Sequence, residues 1–406
     1  MKTKIIVLYI LALFCICSFF TVSAESNWSI EIVDGNGDSG SYNSIAIGTD
    51  NHPHISYYDS ANGYLRYAHH NGTSWDTTII DNGPEAGAFS CIALDNNNYP
   101  HISYYMGGSY NKLKQTFFNG DHWGLETVDS SANVGSFSSI KIDSNNKEHI
   151  SYHDFTNSDL KYAYDTGSNW DIVTVDSEGS VGSYTSLALD SNNNPHISYY
   201  DGTNTNLKYA YYDGSTWNIE TVDDEERVGS YTSLALDSKN NPHISYYDSS
   251  NTDLKYAYYN GTNWTIEKIQ TEGNIGTYSS LVLDKNDNPH ICYRDSTNYE
   301  LKYAYYDGST WNIETVDTEG TPGGSFNSIA LDMIGNPHIS YYDSEDKMLK
   351  HAVSFNNHET EQTEDEILED NKQKNNKDKK STPGYEIILF MISIIIIYLI
   401  INYKKK

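Results

Sequence analysis

A single histidine recurs along this chain at nearly constant spacing, and histidine is the side chain best suited to bind metals or transfer protons near neutral pH. Its seven copies stand in His-Ile-Ser-Tyr-Tyr-Asp or a close variant, 47 or 48 residues apart, at His54, His101, His149, His196, His243, His290 and His338. Catalysis requires one constellation of differently tuned groups, and a metal site requires ligands that converge to about 2 Å from one ion. Seven equivalent copies fit neither requirement. We therefore predict structural histidines, each hydrogen-bonded within its own repeat or to the next one.

The residues around each histidine predict four short antiparallel strands per repeat. In residues 183–223, runs rich in Tyr, Ile, Leu and Thr alternate with clusters of Asn, Gly, Asp and Pro, which is typical of strands and turns. The expected strands are Tyr184–Asp190, His196–Asp201, Leu207–Asp213 and Thr216–Asp223. Four strands in 47 residues is the period of a β-propeller blade. The predicted fold is all-β, a seven-bladed β-propeller of four-stranded blades over residues 25–357.

Seven tryptophans accompany the histidines, but the two series are offset. Each Trp precedes a His by 26 or 27 residues, beginning with Trp28 before His54, and no further Trp follows His338. The segment NWSIEIVD (27–34) resembles TWNIETVD (216–223), the fourth strand of a complete repeat. We predict that this N-terminal strand completes the seventh blade and closes the ring, which removes exposed sheet edges. We expect a monomeric propeller.

The two ends of the chain differ from the repeats. Residues 1–24 carry two lysines, a long apolar run and Val-Ser-Ala, the pattern of a secretory signal peptide. Cys91 and Cys292 are the cysteines that remain, and we expect two free buried thiols because they fall in non-equivalent strands of different blades. Residues 358–382 are almost entirely polar and charged, which predicts a disordered stalk. Residues 383–406 hold an apolar run that predicts a transmembrane helix with a cytoplasmic, lysine-rich end.

The last segment also resembles a known sorting signal. Pro383-Gly384-Tyr385, an apolar helix and a short basic end are similar to the archaeal PGF-CTERM signal, in which the tripeptide is Pro-Gly-Phe. The resemblance implies an archaeal source, removal of the segment by an archaeosortase and a lipid anchor at the cell surface. Because Tyr385 departs from the motif, retention of the helix in the membrane is the alternative.

Four sequons for N-glycosylation suit a surface protein, although turn chemistry explains the same Asn-Gly-Thr triplets equally well. They lie at Asn27, Asn71, Asn260 and Asn263.

Candidate ligand-binding residues come from the places where one repeat departs from the others. The end of each second strand is expected at the face where propellers gather function, and most copies there contain Tyr-Asp. Met106, His153 and Arg294 break that rule, and with Asp154 and Asp295 they are the predicted ligand-binding residues. If the protein is an enzyme, His153 could act as a base and Arg294 could hold a carboxylate. Ordinary drift of the repeat is the alternative explanation.

Composition limits the partners. The net charge of −29, from 26 basic and 55 acidic residues, predicts that nucleic acid is not a partner. The turn DSNNNP (190–195) and the segment DGNGDSG (34–40) resemble the start of a calcium loop but lack its later Gly and Glu. We predict no metal and no cofactor, with calcium as the alternative to ordinary turns.

The evenness of the repeats favours binding over catalysis, because steps of 47 or 48 residues leave no room for the long insertions expected of an enzyme's blades. We predict a cell-surface binding or adhesion module for glycans or surface proteins. One alternative is an extracellular polysaccharide lyase or glycosidase that uses His153 and Arg294. Another is a structural component of the cell envelope.

Overall fold

The structure, a computed structural model, describes residues 28–318 and 324–355. These residues form 28 strands in seven four-stranded antiparallel sheets, all within one compact unit that ends at Phe355. The predicted all-β, seven-bladed propeller is therefore confirmed. In the described part of the chain we find no helix with the length and apolar character needed to cross a membrane. The predicted signal peptide (1–24), stalk (358–382), transmembrane anchor (383–406) and Asn27 lie outside the described residues.

Each sheet contains four strands, which we call first, second, third and fourth by their order in the repeat. The first strands are β2 Ser39–Ile47, β6 Ala86–Leu94, β10 Val134–Ile142, β14 Val181–Leu189, β18 Val228–Leu236, β22 Ile275–Leu283 and β26 Ser325–Leu331. The second strands are β3 Pro53–Asp59, β7 Pro100–Met106, β11 Glu148–Asp154, β15 Pro195–Asp201, β19 Pro242–Asp248, β23 Pro289–Asp295 and β27 Pro337–Asp343. The third strands are β4 Tyr64–His70, β8 Lys112–Phe118, β12 Asp159–Asp165, β16 Asn206–Tyr212, β20 Asp253–Tyr259, β24 Glu300–Tyr306 and β28 Met348–Ser354. The fourth strands are β5 Trp75–Asp81, β9 Trp123–Asp129, β13 Trp170–Asp176, β17 Trp217–Asp223, β21 Trp264–Gln270, β25 Trp311–Asp317 and β1 Trp28–Asp34.

We number the blades 1 to 7 in the order of their first strands, so that blade 7 contains β26, β27, β28 and β1. In that sheet β1 pairs antiparallel with β28, with Trp28 opposite Ser354 and Ile30 opposite Ala352. The N-terminal strand thus completes the last blade, and the predicted closure of the ring is confirmed. We call the end of the propeller that carries the turns from first to second and from third to fourth strands the hairpin face, and the opposite end the loop face.

A buried polar network locks neighbouring blades together. The second strand carries a fully buried Tyr whose hydroxyl donates to the last residue of the fourth strand in the preceding blade, as Tyr199 does to Asp176 at 2.7 Å. Except in blade 6, where the partner of the Tyr is Gln270, a basic residue of the third strand pairs with the same carboxylate, as Lys208 does at 2.8 Å. The buried carboxylate is thereby both hydrogen-bonded and neutralised, which the cost of burying a charge requires. Tyrosine is abundant here because it fills the space between blades and places its hydroxyl on a partner.

Candidate functional site

The repeated histidines are buried, and each is the second residue of the second strand in its own blade. In blade 3, Nδ1 of His149 lies 2.5 Å from the hydroxyl of Tyr162 in the third strand, and Nε2 lies 3.7 Å from Asp143. His101 instead meets Glu148 at 2.8 Å, and His338 meets His351 at 3.0 Å. These are contacts that a structural role requires, and that role stays a prediction until it is tested by substitution.

The five predicted ligand-binding residues lie in the inner part of the loop face. Met106 is buried in the apolar cluster between blades 1 and 2. Asp154 and Asp295 are buried, and each accepts backbone hydrogen bonds from the turn that follows it, for example from Thr156 and Asn157 onto Asp154. The contacts of both aspartates are therefore those of turn-stabilising residues.

His153 and Arg294 lie on blades 3 and 6, with blades 4 and 5 between them. His153 is 5 % exposed and faces Ser136 at 3.3 Å, and its burial lowers the pKa of the imidazole despite the nearby charge of Asp154. Arg294 donates to Ser325 at 2.9 Å. Because the blades that carry them are not adjacent, the structure gives no contact that would join the two residues in one catalytic site.

An aromatic collar surrounds the propeller axis next to these residues. It consists of one ring from each first strand, with neighbouring centroids 4.5–4.9 Å apart: Tyr42, Phe89, Phe137, Tyr184, Tyr231, Tyr278 and Phe326. All seven have φ between 50° and 56°, in the left-handed region. Burial raises the pKa of the collar tyrosines, that of Tyr278 to about 12. The collar lines a cavity of about 220 Å³. Its rings are tilted against one another at close distances, which favours a role in packing.

Clefts between blades open on the hairpin face, away from the predicted residues. Each cleft combines third- and fourth-strand residues and the repeated His of one blade with the Asn-Pro turn and the Trp of the next. The cleft between blades 3 and 4 has a volume of about 470 Å³, against about 190 Å³ between blades 4 and 5 and about 240 Å³ between blades 5 and 6. We refer to the first of these as the 3/4 cleft.

One substitution distinguishes the 3/4 cleft from the clefts between blades 4 and 5 and between blades 5 and 6. In the other two clefts the indole N–H of the Trp donates to a glutamate of the preceding blade, Trp264 to Glu220 at 3.1 Å and Trp311 to Glu267 at 3.0 Å. In the 3/4 cleft, Val173 occupies the position of that glutamate and is 36 % exposed. Among the described residues, no acceptor meets the indole N–H of Trp217. The cleft is therefore wider and has a free donor.

Several polar side chains of the 3/4 cleft also lack hydrogen-bond partners among the described residues. The side chains of Tyr164, Asp171, Asn192 and Tyr212 line it and make no hydrogen bond to other described residues. The ring of Trp217 packs 5.4 Å from that of Tyr162 and 5.7 Å from that of Tyr212, which fixes its orientation. An aromatic wall with a few convergent donors and acceptors is typical of a small-molecule site. This cleft is not among the sites predicted from the sequence, although Val173 in place of a recurring Glu was a visible signal.

Three of the glycosylation candidates lie on the hairpin face and are exposed. Asn71, Asn260 and Asn263 belong to turns between third and fourth strands. The side-chain oxygens of Asn71 and Asn260 accept backbone hydrogen bonds within those turns. Cys91 and Cys292 are both free, as expected, although Cys91 is partly exposed and Cys292 alone is fully buried.

The turns considered for calcium use their carboxylates internally. Asp190 accepts from the backbone of Asn192 and Asn194 at 2.8 and 2.7 Å. Asp34 accepts from Tyr57 at 2.7 Å and pairs with Arg66 at 2.6 Å. Calcium at these turns stays an untested alternative.

No protein-family model and no curated protein matches this chain. Among solved structures, an ulvan lyase described as a new family of polysaccharide lyase is similar with a TM-score of 0.56, at 14 % identity over 77 % of this chain and 94 % of the lyase. A protein of unknown function from Dyadobacter fermentans has a TM-score of 0.51, at 11 % identity over 80 % of this chain and 98 % of its own. The fucose-specific lectin from Aleuria aurantia has a TM-score of 0.48, at 16 % identity over 71 % of this chain and 97 % of its own. At these identities the likenesses show the propeller fold alone.

Proposed function

We propose that this protein is a glycan-binding module that takes a saccharide in the 3/4 cleft. The observation that carries the proposal is the free indole N–H of Trp217 beside Val173, within a cleft of about 470 Å³. A sugar ring presents C–H groups on one side and hydroxyls around its rim. An aromatic wall with unused amide, carboxylate and phenol groups complements both, because apolar contact supplies affinity and the polar groups fix orientation.

The setting proposed for this activity is the cell surface. The two ends of the sequence support it, since they resemble a secretory signal and a sorting or anchoring segment. The propeller would then stand outside the cell, where extracellular and neighbouring-cell glycans are found. Protease treatment of intact cells tests this location: digestion of the propeller supports it, and full protection contradicts it.

The test of the proposal is a glycan and polysaccharide screen on the full chain, with and without calcium. We expect at least one saccharide to bind, and Trp217→Ala to weaken its binding by at least tenfold, since the stacking surface and the free donor are both lost. Trp264→Ala is the matched control, because it removes the same ring from the cleft in which Glu220 already holds the indole. It should lower stability to a similar degree and leave the affinity unchanged.

Two results would overturn the proposal. The absence of binding across a broad panel would favour a protein partner or a structural role in the envelope. Binding that survives Trp217→Ala would place the site elsewhere on the propeller. If a bound polysaccharide is also cleaved, a lyase or glycosidase becomes the better description, and His153→Ala and Arg294→Ala then test its chemistry.

A further inference from the structure

Blade 1 departs from the repeat at three positions that meet on the hairpin face. Asp50 and His52, in the turn between β2 and β3, stand where blade 4 has Asn192 and Asn194. His69 in β4 lies opposite His54, where blade 4 pairs Tyr211 with His196. The three changes each introduce a group that can bind a metal ion.

The three new side chains lie close together. One ligand atom from each of Asp50, His52 and His69 lies within 4.8 Å of the other two. Nδ1 of His52 is 3.2 Å from a carboxylate oxygen of Asp50, and the rings of His52 and His69 are 6.1 Å apart. Asp50 is exposed and both histidines are partly buried, so the group is open to solvent on one side.

A fourth donor borders the same space. In five other blades, Nε2 of the repeated His has a carboxylate 3.7–3.9 Å away, supplied by the first residue of the turn. In blade 1 that residue is Gly48, and Nε2 of the 5 % exposed His54 is buried without a hydrogen-bond partner in the described structure. A Cβ at Gly48 would lie 2.5 Å from Oδ1 of Asp50 and 3.4 Å from Nε2 of His54.

The missing side chain at Gly48 therefore lets the Asp50 carboxylate occupy the space that a Cβ would fill, beside Nε2 of His54. The rings of His54 and His69 are 4.3 Å apart, which brings the buried nitrogen next to the cluster. The other ring nitrogen of His54 already meets the hydroxyl of Tyr67 at 2.5 Å. Such a second contact orients an imidazole whose free nitrogen binds a metal.

We propose that Asp50, His52 and His69 bind a divalent first-row transition metal ion such as Zn²⁺, with Nε2 of His54 as the fourth donor. Imidazole nitrogens with one carboxylate bind such ions in preference to calcium, which prefers oxygen ligands. Bond lengths of about 2.0–2.2 Å require the side chains to close inward by rotation, which exposed Asp50 and half-buried His52 can do. The ion would tie the β2–β3 turn to β4 within blade 1. This site is independent of the proposed saccharide cleft.

The experiment is calorimetric titration of the metal-free full chain with ZnCl2, together with visible absorption on titration with Co²⁺. We expect one tightly bound ion per chain and a rise in Tm when Zn²⁺ is present. The variants Asp50→Asn, His52→Asn and His69→Tyr each restore the residue that blade 4 carries, so they should fold normally. Each should weaken Zn²⁺ binding by at least tenfold and abolish the rise in Tm.

The control is His122→Asn, which removes an exposed histidine lying 3.4 Å from a carboxylate of Asp121 in blade 2. This variant should bind Zn²⁺ like the unaltered chain. The proposal is overturned if the unaltered chain binds no Zn²⁺. It is equally overturned if a triple variant at Asp50, His52 and His69, folded by circular dichroism, keeps the same affinity.

Discussion

At the scale of single residues, burial determines the chemistry of the repeated histidines. Nδ1 of His196 meets the hydroxyl of Tyr209, and its Nε2 lies 3.9 Å from Asp190. Burial lowers the pKa of this imidazole, and the charge of Asp190 opposes that shift without cancelling it. The same direction and leading cause hold for His149, His243, His290 and His338. These histidines are therefore held neutral in the folded ring.

This neutrality makes stability depend on pH. A histidine whose pKa is lowered by folding takes up its proton more readily when unfolded, so its contribution is present above about pH 6.5 and is lost as the pH falls below that value. The free energy of unfolding should drop between pH 7.5 and 5, with each such histidine contributing at most about 1.4 kcal/mol per pH unit. Urea denaturation across this range measures it.

His196→Gln should reduce that pH dependence, and His122→Gln, on an exposed turn, should leave it unchanged. A free energy of unfolding that stays constant from pH 7.5 to 5 would contradict the account of neutral buried histidines. Carboxylates with a lowered pKa, such as those of Asp190 and Asp237, change the free energy of unfolding mainly below pH 5, because the ordinary pKa of the group is already 3.8.

Residue spacing predicted where these histidines lie but not what they meet. The constant step located each one at the start of a second strand. Their partners come from the turn before and the strand after, and a pattern of Tyr, Asp and Asn offers many candidates for such contacts. Likewise, the departures at His153 and Arg294 were visible in the sequence, whereas their separation by two blades required the closed ring.

At the scale of the strand, the boundaries predicted for residues 183–223 agree with the structure to within one residue, except at the start of the first strand. The pattern predicts a start at Tyr184, and the structure begins β14 at Val181. The chain there passes through a register shift, with φ of 94° at Gly182 and 55° at Tyr184. A Cβ at Gly182 would lie 2.7 Å from the Cα of Leu160 in the preceding blade, so only glycine fits. Alternation of apolar residues fails at such a bulge, which is why the pattern stops short.

The closing strand β1 is the element on which the ring depends most directly. Its last residue, Asp34, is buried and binds both Tyr57 at 2.7 Å and Arg66 at 2.6 Å in blade 1. Asp34→Asn should lower the free energy of unfolding by about 3 kcal/mol, because the largely buried Arg66 guanidinium then keeps only the more distant carboxylate of Asp59, 3.8 Å away, as an ionic partner. Ser29→Thr, an exposed change in the same strand that keeps the Asn27 sequon, should have little effect. A loss below about 0.5 kcal/mol for Asp34→Asn would show that this contact does not hold the ring closed.

At the scale of the whole molecule, similar repeats create similar clefts between blades, and we propose that binding uses the 3/4 cleft, which is wider than the clefts between blades 4 and 5 and between blades 5 and 6. The sequence predicted the number of blades and the closure because both are set by periodicity. It did not predict the 3/4 cleft, because its walls come from two blades and its opening depends on a glutamate that is absent. The residues predicted from the sequence, such as Met106 and His153, lie on the loop face and are buried, whereas the 3/4 cleft opens on the hairpin face.

The assignment of the 3/4 cleft as the saccharide site is tested most directly by replacing Val173 with the glutamate that blades 4 and 5 carry at this position. Val173→Glu should give Trp217 the acceptor that Glu220 gives Trp264, and should narrow the 3/4 cleft toward the size of the cleft between blades 4 and 5. With a saccharide identified in the screen, calorimetry on the full chain should show binding weakened at least tenfold, with Tm unchanged or higher. Affinity for that saccharide equal to that of the unaltered chain would contradict the assignment of the 3/4 cleft as its binding site.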